Sequence, residues 1–275
     1  MLPSYLLSLR EGLEAALIVG IVLGALRQMR RTDLALTVWS GVFSAVALSV
    51  LVGVILTALG VGLASPAEQI FEGTTMFLAA GVLTWMIFWM NRQSHTIKSE
   101  LEAGVRTAAL KTGKRGLFLL AFLAVAREGV ELALFLAASA FASTATQTVS
   151  GAVLGLFTSV LLGWSFFAST VKLDLRRFFQ VTGILLIMFA AGLVALGVHE
   201  FNEIGWIPAI VEHIWNLNPI LSEDSTFGAI LKALFGYNGD PALTEMIAYV
   251  AYFVAIGLGL RAARQPEIAS AQSQA

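Results

Sequence analysis

Two copies of a short charged motif interrupt apolar stretches of the sequence. The first, REGLE, covers residues 10–14, and the second, REGVE, covers residues 127–131. Residues three and four apart are neighbours on a helix. This spacing favours a local pair between the arginine and the second glutamate of each copy, which leaves the first glutamate freer to face an ion. Pairing between the two copies fits the spacing equally well.

The residue types of the motif point to a metal cation. Carboxylate oxygens are hard ligands that suit Mg²⁺, Ca²⁺, Mn²⁺ and iron. Four glutamates and two arginines sum to a charge of −2. A divalent cation would neutralise this charge and a trivalent cation would leave +1, so charge does not choose between Fe²⁺ and Fe³⁺, whereas a monovalent ion would need fewer carboxylates. We therefore predict a metal site with four ligands and two charge partners: Glu11, Glu14, Glu128, Glu131, Arg10 and Arg127.

The composition is that of an integral membrane protein. Of 275 residues, 57% are hydrophobic and 13% are charged, and the mean hydropathy is +0.81, whereas soluble domains are about one quarter charged. The chain has no cysteine, which excludes disulfides, thiolate metal sites, iron–sulfur clusters and covalently attached haem. An unpaired charge at the bilayer centre costs roughly 2.5 kcal/mol or more, so ionisable groups there indicate a functional site by default.

Seven segments have about the 20 mostly apolar residues that a membrane-spanning helix needs, so we predict an all-α membrane fold. They cover residues 4–26, 35–59, 68–90, 116–141, 147–170, 178–198 and 244–262. Fourteen of the 17 lysines and arginines follow the first, third, fifth and seventh segments. By the positive-inside rule, the N-terminus is then outside and the C-terminus is cytoplasmic. Both motifs fall towards the middle of the ~30 Å hydrocarbon core.

Three matches in the same order relate the two halves of the chain. REGLEAAL matches REGVELAL, SVLVG matches SVLLG and MFLAAGVL matches MFAAGLV, at offsets of 117, 110 and about 111 residues. Each repeat has three spans, an odd number, so the second copy enters the membrane from the opposite side. This 3+3 inverted-topology repeat, with one extra C-terminal helix, is typical of transporters with a site near the midplane.

We predict one transmembrane domain over residues 1–262. It consists of repeat one (1–91), repeat two (116–198), an outer loop (199–243) and a seventh helix (244–262), followed by a disordered cytoplasmic tail (263–275). Within the outer loop, residues 204–217 are apolar but too short to span, which predicts an interfacial or re-entrant helix. In the cytoplasmic connector, apolar residues at helical spacing from Ile97 to Ala109 predict a short surface helix.

Acidic residues gather on the predicted outer face. Glu68 and Glu72 open the third span at i and i+4, and Glu200 and Glu203 follow the sixth span beside His199. An acidic mouth raises the local concentration of cations. We predict Glu72 as an outer metal ligand, Glu68 as part of the same outer entry, and Glu200 and Glu203 with His199 as a capture site. The alternative is that these acids only make the loops polar.

REGLE in the first span and REGVE in the fourth resemble the iron permease family of fungal high-affinity ferric permeases and bacterial EfeU-type permeases. The resemblance covers nearly the whole chain, with Val130 where the family usually has leucine. It implies that the motif glutamates form the iron path and that Glu200-x-x-Glu203 matches an outer ExxE element. It also implies iron as transported substrate without a permanently bound cofactor, and a bacterial inner-membrane location. The implied partners are a periplasmic iron-binding protein and a haem peroxidase, or in fungal members a ferroxidase.

We therefore predict an inner-membrane iron permease, not an enzyme, surrounded by lipid and without a nucleic-acid partner. Another divalent metal, Pb²⁺ or Mn²⁺, fits the same fold, since the family includes proteins linked to lead uptake. Two rivals belong to other classes. One is an intramembrane enzyme with paired carboxylates, although no nucleophile–base pair or di-metal ExxH motif is visible. The other is a proton-conducting or scaffold protein whose motifs are packing ion pairs.

Overall fold

Each of the seven predicted spans corresponds to one long helix in a computed structural model of the protein. The structure describes residues 1–60, 63–93, 97–141, 143–168, 175–223 and 225–272. Its helices are α1 (Leu2–Gln28), α2 (Ala35–Gly60), α3 (Ala67–Gln93), α4 (Ile97–Thr107), α5 (Gly113–Phe141), α6 (Ala145–Ala168), α7 (Leu175–Glu203), α8 (Thr226–Phe235) and α9 (Leu243–Gln272).

Apolar composition explains most of these helices. Five of the described helices are long and apolar enough to cross a membrane: Thr32–Gly60, Ala67–Phe88, Ala145–Ser165, Gln180–Glu203 and Leu243–Ala262. Helices α1 and α5 are as long, at 27 and 29 residues, but each carries its charged motif in the interior. The predicted all-helical membrane fold is confirmed. The crossing of all seven helices and their orientation stay predictions.

The helices fall into two compact units. The first unit comprises Met1–Gly62 and Gln93–Thr182, and the second comprises Leu63–Arg92 and Gly183–Ala275. Helices α1, α2, α4, α5 and α6 therefore belong to the first unit, and α3, α8, α9 and most of α7 belong to the second. Both charged motifs lie in the first unit, and the four outer glutamates lie in the second. One transmembrane domain over residues 1–262 stays a prediction.

Two predictions for the outer loop are wrong. Helix α7 continues to Glu203, so residues 199–203 are helical. Residues 204–217 are not helical, because Pro208 and the left-handed conformations of Gly205 (φ 73°) and Ile210 (φ 62°) interrupt the helix. Instead, the segment hydrogen-bonds to the chain before α9: the Leu217 amide donates to the Gly239 carbonyl at 2.7 Å.

A polar network connects α8, the short helix of this loop, to the segments before and after it. The Lys232 ammonium donates to Glu223 Oε2 at 2.8 Å, and the Gly239 amide donates to Glu223 Oε1 at 2.9 Å. Burial alone favours the neutral acid, but these two hydrogen bonds outweigh it and lower the pKa of Glu223 below its usual value. Glu223 therefore has a structural role in the loop.

The seventh predicted span, 244–262, agrees with the apolar, membrane-length part of α9, Leu243–Ala262, but the helix does not end there. Helix α9 runs to Gln272, so the described part of the predicted disordered tail is helical, and residues 273–275 lie outside the described residues. Alanine, arginine, glutamine and glutamate on both sides of Pro266 favour helix continuation, although a proline within a helix opposes it.

In the first unit, helices pair across the sequence repeat: α1 packs along α6, and α2 packs along α5. Small residues four apart line both contacts. In α6 they are Gly151, Gly155, Ser159 and Gly163, and in α2, at positions 110 residues earlier, they are Gly41, Ala45, Ser49 and Gly53. A Cβ on Gly155 would collide with the α1 backbone, and one on Gly41 would collide with the α5 backbone. Small residues let helix backbones approach closely, so both pairs are tight.

An apolar cluster fills the part of the first unit where α1 ends and α5 begins. Its buried members are Val22, Ala25, Leu26, Leu34, Val38, Val42, Ala45, Val105, Ala108, Ala109, Leu117, Ala121, Val125 and Ala126. Three of them come from α4 and the π-helical turn that follows it, Ala108–Thr112. The short helix predicted in the connector is confirmed, and Val105 and Ala109 of the predicted apolar face are buried in this cluster.

Candidate metal centre

Helices α1 and α5 touch within the first unit and bring the two motifs together. Glu11, Glu128 and Glu131 are only 1%, 6% and 8% exposed. Each offers one carboxylate oxygen, and these three oxygens lie within 4.8 Å of one another. One cation that contacts three oxygens at about 2.0–2.6 Å produces spacings of this size.

Arg10 is the most buried charge of this group. Its side chain is 0% exposed, with Nη1 at 2.9 Å from Glu11 Oε1 and Nη2 at 3.0 Å from Glu14 Oε1. The predicted local pair between Arg10 and Glu14 is confirmed. The prediction that Glu11 is freer holds for one oxygen only, because Oε1 is paired with Arg10 whereas the buried Oε2 has no hydrogen-bond partner among the described residues.

The second motif repeats this pairing in a more open setting. Arg127 Nε donates to Glu131 Oε1 at 3.0 Å, which confirms the second predicted local pair, and the Arg127 side chain is 33% exposed. Oε2 of Glu131 is buried and has no hydrogen-bond partner in the described part of the chain. Both helices thus present a carboxylate with one paired and one open oxygen.

This arrangement is chemically suited to a hard multivalent cation. The buried guanidinium offsets part of the repulsion between neighbouring carboxylates, yet the six motif side chains still sum to −2. Buried carboxylate oxygens without donors are costly unless something cationic or protonated reaches them. Glu14, whose side chain is 17% exposed, is the one motif glutamate outside the close group of three, and Arg10 ties it to that group.

Glycines in the motifs determine how the site is supported. A Cβ on Gly12 would collide with the side chain of Ser159 in α6, and a Cβ on Gly129 would collide with Ser49 in α2. Ser49 and Ser159 are the equivalent residues of SVLVG and SVLLG. Each motif therefore rests on a serine of the other repeat, a contact that sequence analysis missed because it depends on how the helices pack.

The outer acids lie together on two helices of the second unit. Glu68 is exposed in the first turn of α3, Glu72 is half-buried one turn later, and the Glu200 Cβ lies 3.3 Å from a Cβ built on Gly73. Gln69 Nε2 donates to the exposed Glu203 Oε2 at 3.5 Å. Among the described residues, these acids do not form a close group of metal ligands like that of Glu11.

A pair between the partly exposed His199 and the buried Glu245 lies near these acids and escaped sequence analysis. His199 Nδ1 lies 2.9 Å from Oε1 of Glu245, which is 3% exposed, and Asn238 Nδ2 donates to Glu245 Oε2 at 2.9 Å. His199 Nε2 lies 3.5 Å from Glu203 Oε1. The pair joins the end of α7 to the start of α9, and the sequence separation of 46 residues explains why no local pattern revealed it.

These features define a class. Long apolar helices with ionisable side chains meeting inside the bundle, rather than on its surface, are those of a multi-pass membrane protein with an internal polar site.

Comparison with known proteins gives the family. Residues 1–269 match the model of the iron permease FTR1 family, and the chain belongs to this family. It is 34% identical over 256 residues to the ferrous iron permease EfeU of Escherichia coli O6:K15:H31 (strain 536 / UPEC), covering 92% of this chain and 93% of the relative. It is 33% identical to the EfeU of Yersinia pestis, covering 92% and 91%. No solved structure matches the chain. The protein is therefore a multi-pass bacterial membrane permease and not an enzyme.

Proposed function

We propose that the protein imports iron across the bacterial inner membrane through a midplane site between α1 and α5. The observation that carries this proposal is the close group of Glu11, Glu128 and Glu131, two of which keep a buried oxygen without a donor. Family membership supports iron as the ion. An inside-negative membrane potential favours inward movement by about 2.3 kcal/mol per charge per 100 mV.

The helix pairs of the first unit support the inverted repeat. An axis that carries α1 onto α5 also carries α6 onto α2, and so converts one tight pair into the other. The same axis converts the contact of Gly12 with Ser159 into the contact of Gly129 with Ser49. On this basis we propose seven spans, with the N-terminus outside, the C-terminus in the cytoplasm and the two motifs meeting on the pseudo-two-fold axis.

Each motif residue then has a role. Glu11, Glu128 and Glu131 coordinate the ion, and Glu14, which pairs with Arg10 in the empty site, is the fourth ligand. The two arginines limit repulsion between the carboxylates when the site is empty. Glu68, Glu72, Glu200 and Glu203 collect cations on the outer face by their charge. A periplasmic iron-binding protein with a haem peroxidase, or a ferroxidase, is the kind of partner that the family resemblance implies.

Another metal in the same site is the second candidate function, because three carboxylates also suit Mn²⁺ and a charge of −2 does not select iron. The rival proton-conducting role needs the same glutamates but no metal. An uptake measurement separates these candidates, since only a permease accumulates the metal.

The test is metal uptake into proteoliposomes that contain the purified protein. We expect iron to accumulate above the level of empty vesicles, Pb²⁺ or Mn²⁺ to compete to a measurable degree, and excess Mg²⁺ to leave the iron signal unchanged because it dehydrates reluctantly. Uptake under reducing and oxidising conditions assigns the charge state. No iron accumulation, with proton flux retained, contradicts the proposal.

A further inference from the structure

Three buried serines lie on one side of the metal centre, where α1 begins and α5 ends. Ser4 and Ser8 are 0% exposed and Ser139 is 1% exposed. Ser4 Oγ and Ser139 Oγ lie 3.2 Å apart across the two helices. Ser4, Ser8 and Glu11 follow one another at i, i+4 and i+7, so they share one face of α1. The hydroxyls of α1 thus form a row that ends at a candidate ligand.

Ser8 is the unusual member of this row. Its Oγ is buried and has no hydrogen-bond partner among the described residues, although a serine in a helix commonly donates to the carbonyl four residues earlier, as Ser49 does to Ala45. An unpaired buried hydroxyl is destabilising. The Ser8 side chain packs against Gly155 of α6, so a partner for its hydroxyl has to come from outside the described residues.

The repeat supplies an internal comparison. At the offset of 117 residues that relates the motifs, Ser4 corresponds to Ala121, Ser8 to Val125 and Val22 to Ser139. Ala121, Val125 and Val22 are all buried members of the apolar cluster. The two sides of the centre are therefore equivalent in the repeat but opposite in chemistry, hydroxyl-lined on one side and apolar on the other.

We propose that Ser4, Ser8 and Ser139 line the path by which a hydrated hard cation reaches Glu11, and that the apolar cluster closes the opposite side. Hydroxyl oxygens replace part of the ion's hydration shell without adding charge. Phe135, which is 0% exposed, lies between Glu131 and Ser139 on α5, so the hydroxyls nearest the centre come from α1. This inference rests on the proposed cation transport and specifies its outer route.

The chain has no native cysteine, so single thiols report access to each side. In detergent, where both ends face solvent, we expect Ag⁺ to react with Ser8→Cys at least about tenfold faster than with Val125→Cys, because an apolar environment disfavours a cation. Mn²⁺ should slow the reaction at Ser8→Cys. Intact-mass measurement after alkylation of the remaining thiol gives both rates.

Equal rates at the two thiols, or a faster reaction at Val125→Cys, overturn the proposal. Ser4→Cys against Ala121→Cys repeats the comparison if either first variant does not fold.

Uptake gives the second readout. We expect Ser8→Ala to reduce kcat/KM for iron by roughly tenfold, and the exposed Ser40→Ala to leave it unchanged. A purely structural hydroxyl gives the opposite result, because loss of an unpaired buried group raises the thermal midpoint and leaves uptake intact. The rate at which Ag⁺ reaches each thiol does not depend on iron transport. A result that overturns the hydroxyl-lined path can therefore be distinguished from a failure of the proposed iron import.

Discussion

Replacing Glu11 or Glu128 with glutamine is expected to lower iron uptake into proteoliposomes at least about tenfold. Glutamine preserves side-chain volume but removes a negative charge, which takes the six motif side chains from −2 to −1. It also replaces a carboxylate with an amide, a weaker ligand for a hard cation. Because the oxygens of Glu11, Glu128 and Glu131 lie within 4.8 Å of one another, one lost carboxylate weakens the whole group.

The matched control for these variants is Glu212→Gln. Glu212 is exposed in the non-helical outer segment, so its loss removes the same charge without touching the centre. Uptake is measured per unit of folded protein recovered in the membrane, which separates transport from expression. Uptake at the parent level in both Glu11→Gln and Glu128→Gln would refute the role given to the motif carboxylates.

Replacing Arg10 with glutamine is expected to destabilise the protein by about 3–5 kcal/mol, as loss of one partner from a buried ion pair does. Arg10 is 0% exposed and holds both Glu11 and Glu14. Its loss leaves the buried Glu11 and the partly exposed Glu14 without the cation that pairs with both. The measurement is the midpoint of thermal unfolding in detergent, together with the amount of protein in the membrane.

Arg127→Gln serves as the control because the repeat places Arg127 at the same motif position. Arg127 is 33% exposed and pairs with Glu131 at 3.0 Å, so solvent compensates part of its loss and a smaller shift of the midpoint is expected. Added Mn²⁺ should restore part of the stability of Arg10→Gln, since a bound cation replaces the missing charge. Equal shifts of the thermal midpoint in Arg10→Gln and Arg127→Gln would contradict the conclusion that burial makes Arg10 the more important of the two arginines for stability.

The spacing of the motif residues predicted the ion pairs that form within a single helix. The pairs Arg10–Glu14 and Arg127–Glu131 follow from i, i+4 neighbours. The contact of Arg10 with Glu11 did not follow, because adjacent side chains diverge on a helix and only a tight buried site brings them together.

Tertiary contacts account for most of what the sequence did not predict. The contacts of Gly12 with Ser159 and of Gly129 with Ser49 depend on how α1 meets α6 and how α2 meets α5. In the outer loop, apolarity from residue 204 to 217 predicted a helix, but Gly205 and Pro208 were the stronger signal for an irregular segment. Five of the seven long helices were predictable from length and apolarity alone, whereas α1 and α5 carry their charged motifs within apolar stretches.

The most direct test of the midplane site is anomalous scattering from crystals soaked with iron. We predict one strong peak between α1 and α5, within coordination distance of Glu11, Glu128 and Glu131, and its loss in Glu128→Gln. A strong iron peak elsewhere, with no density between the two motifs, would contradict the central claim that these carboxylates carry the ion.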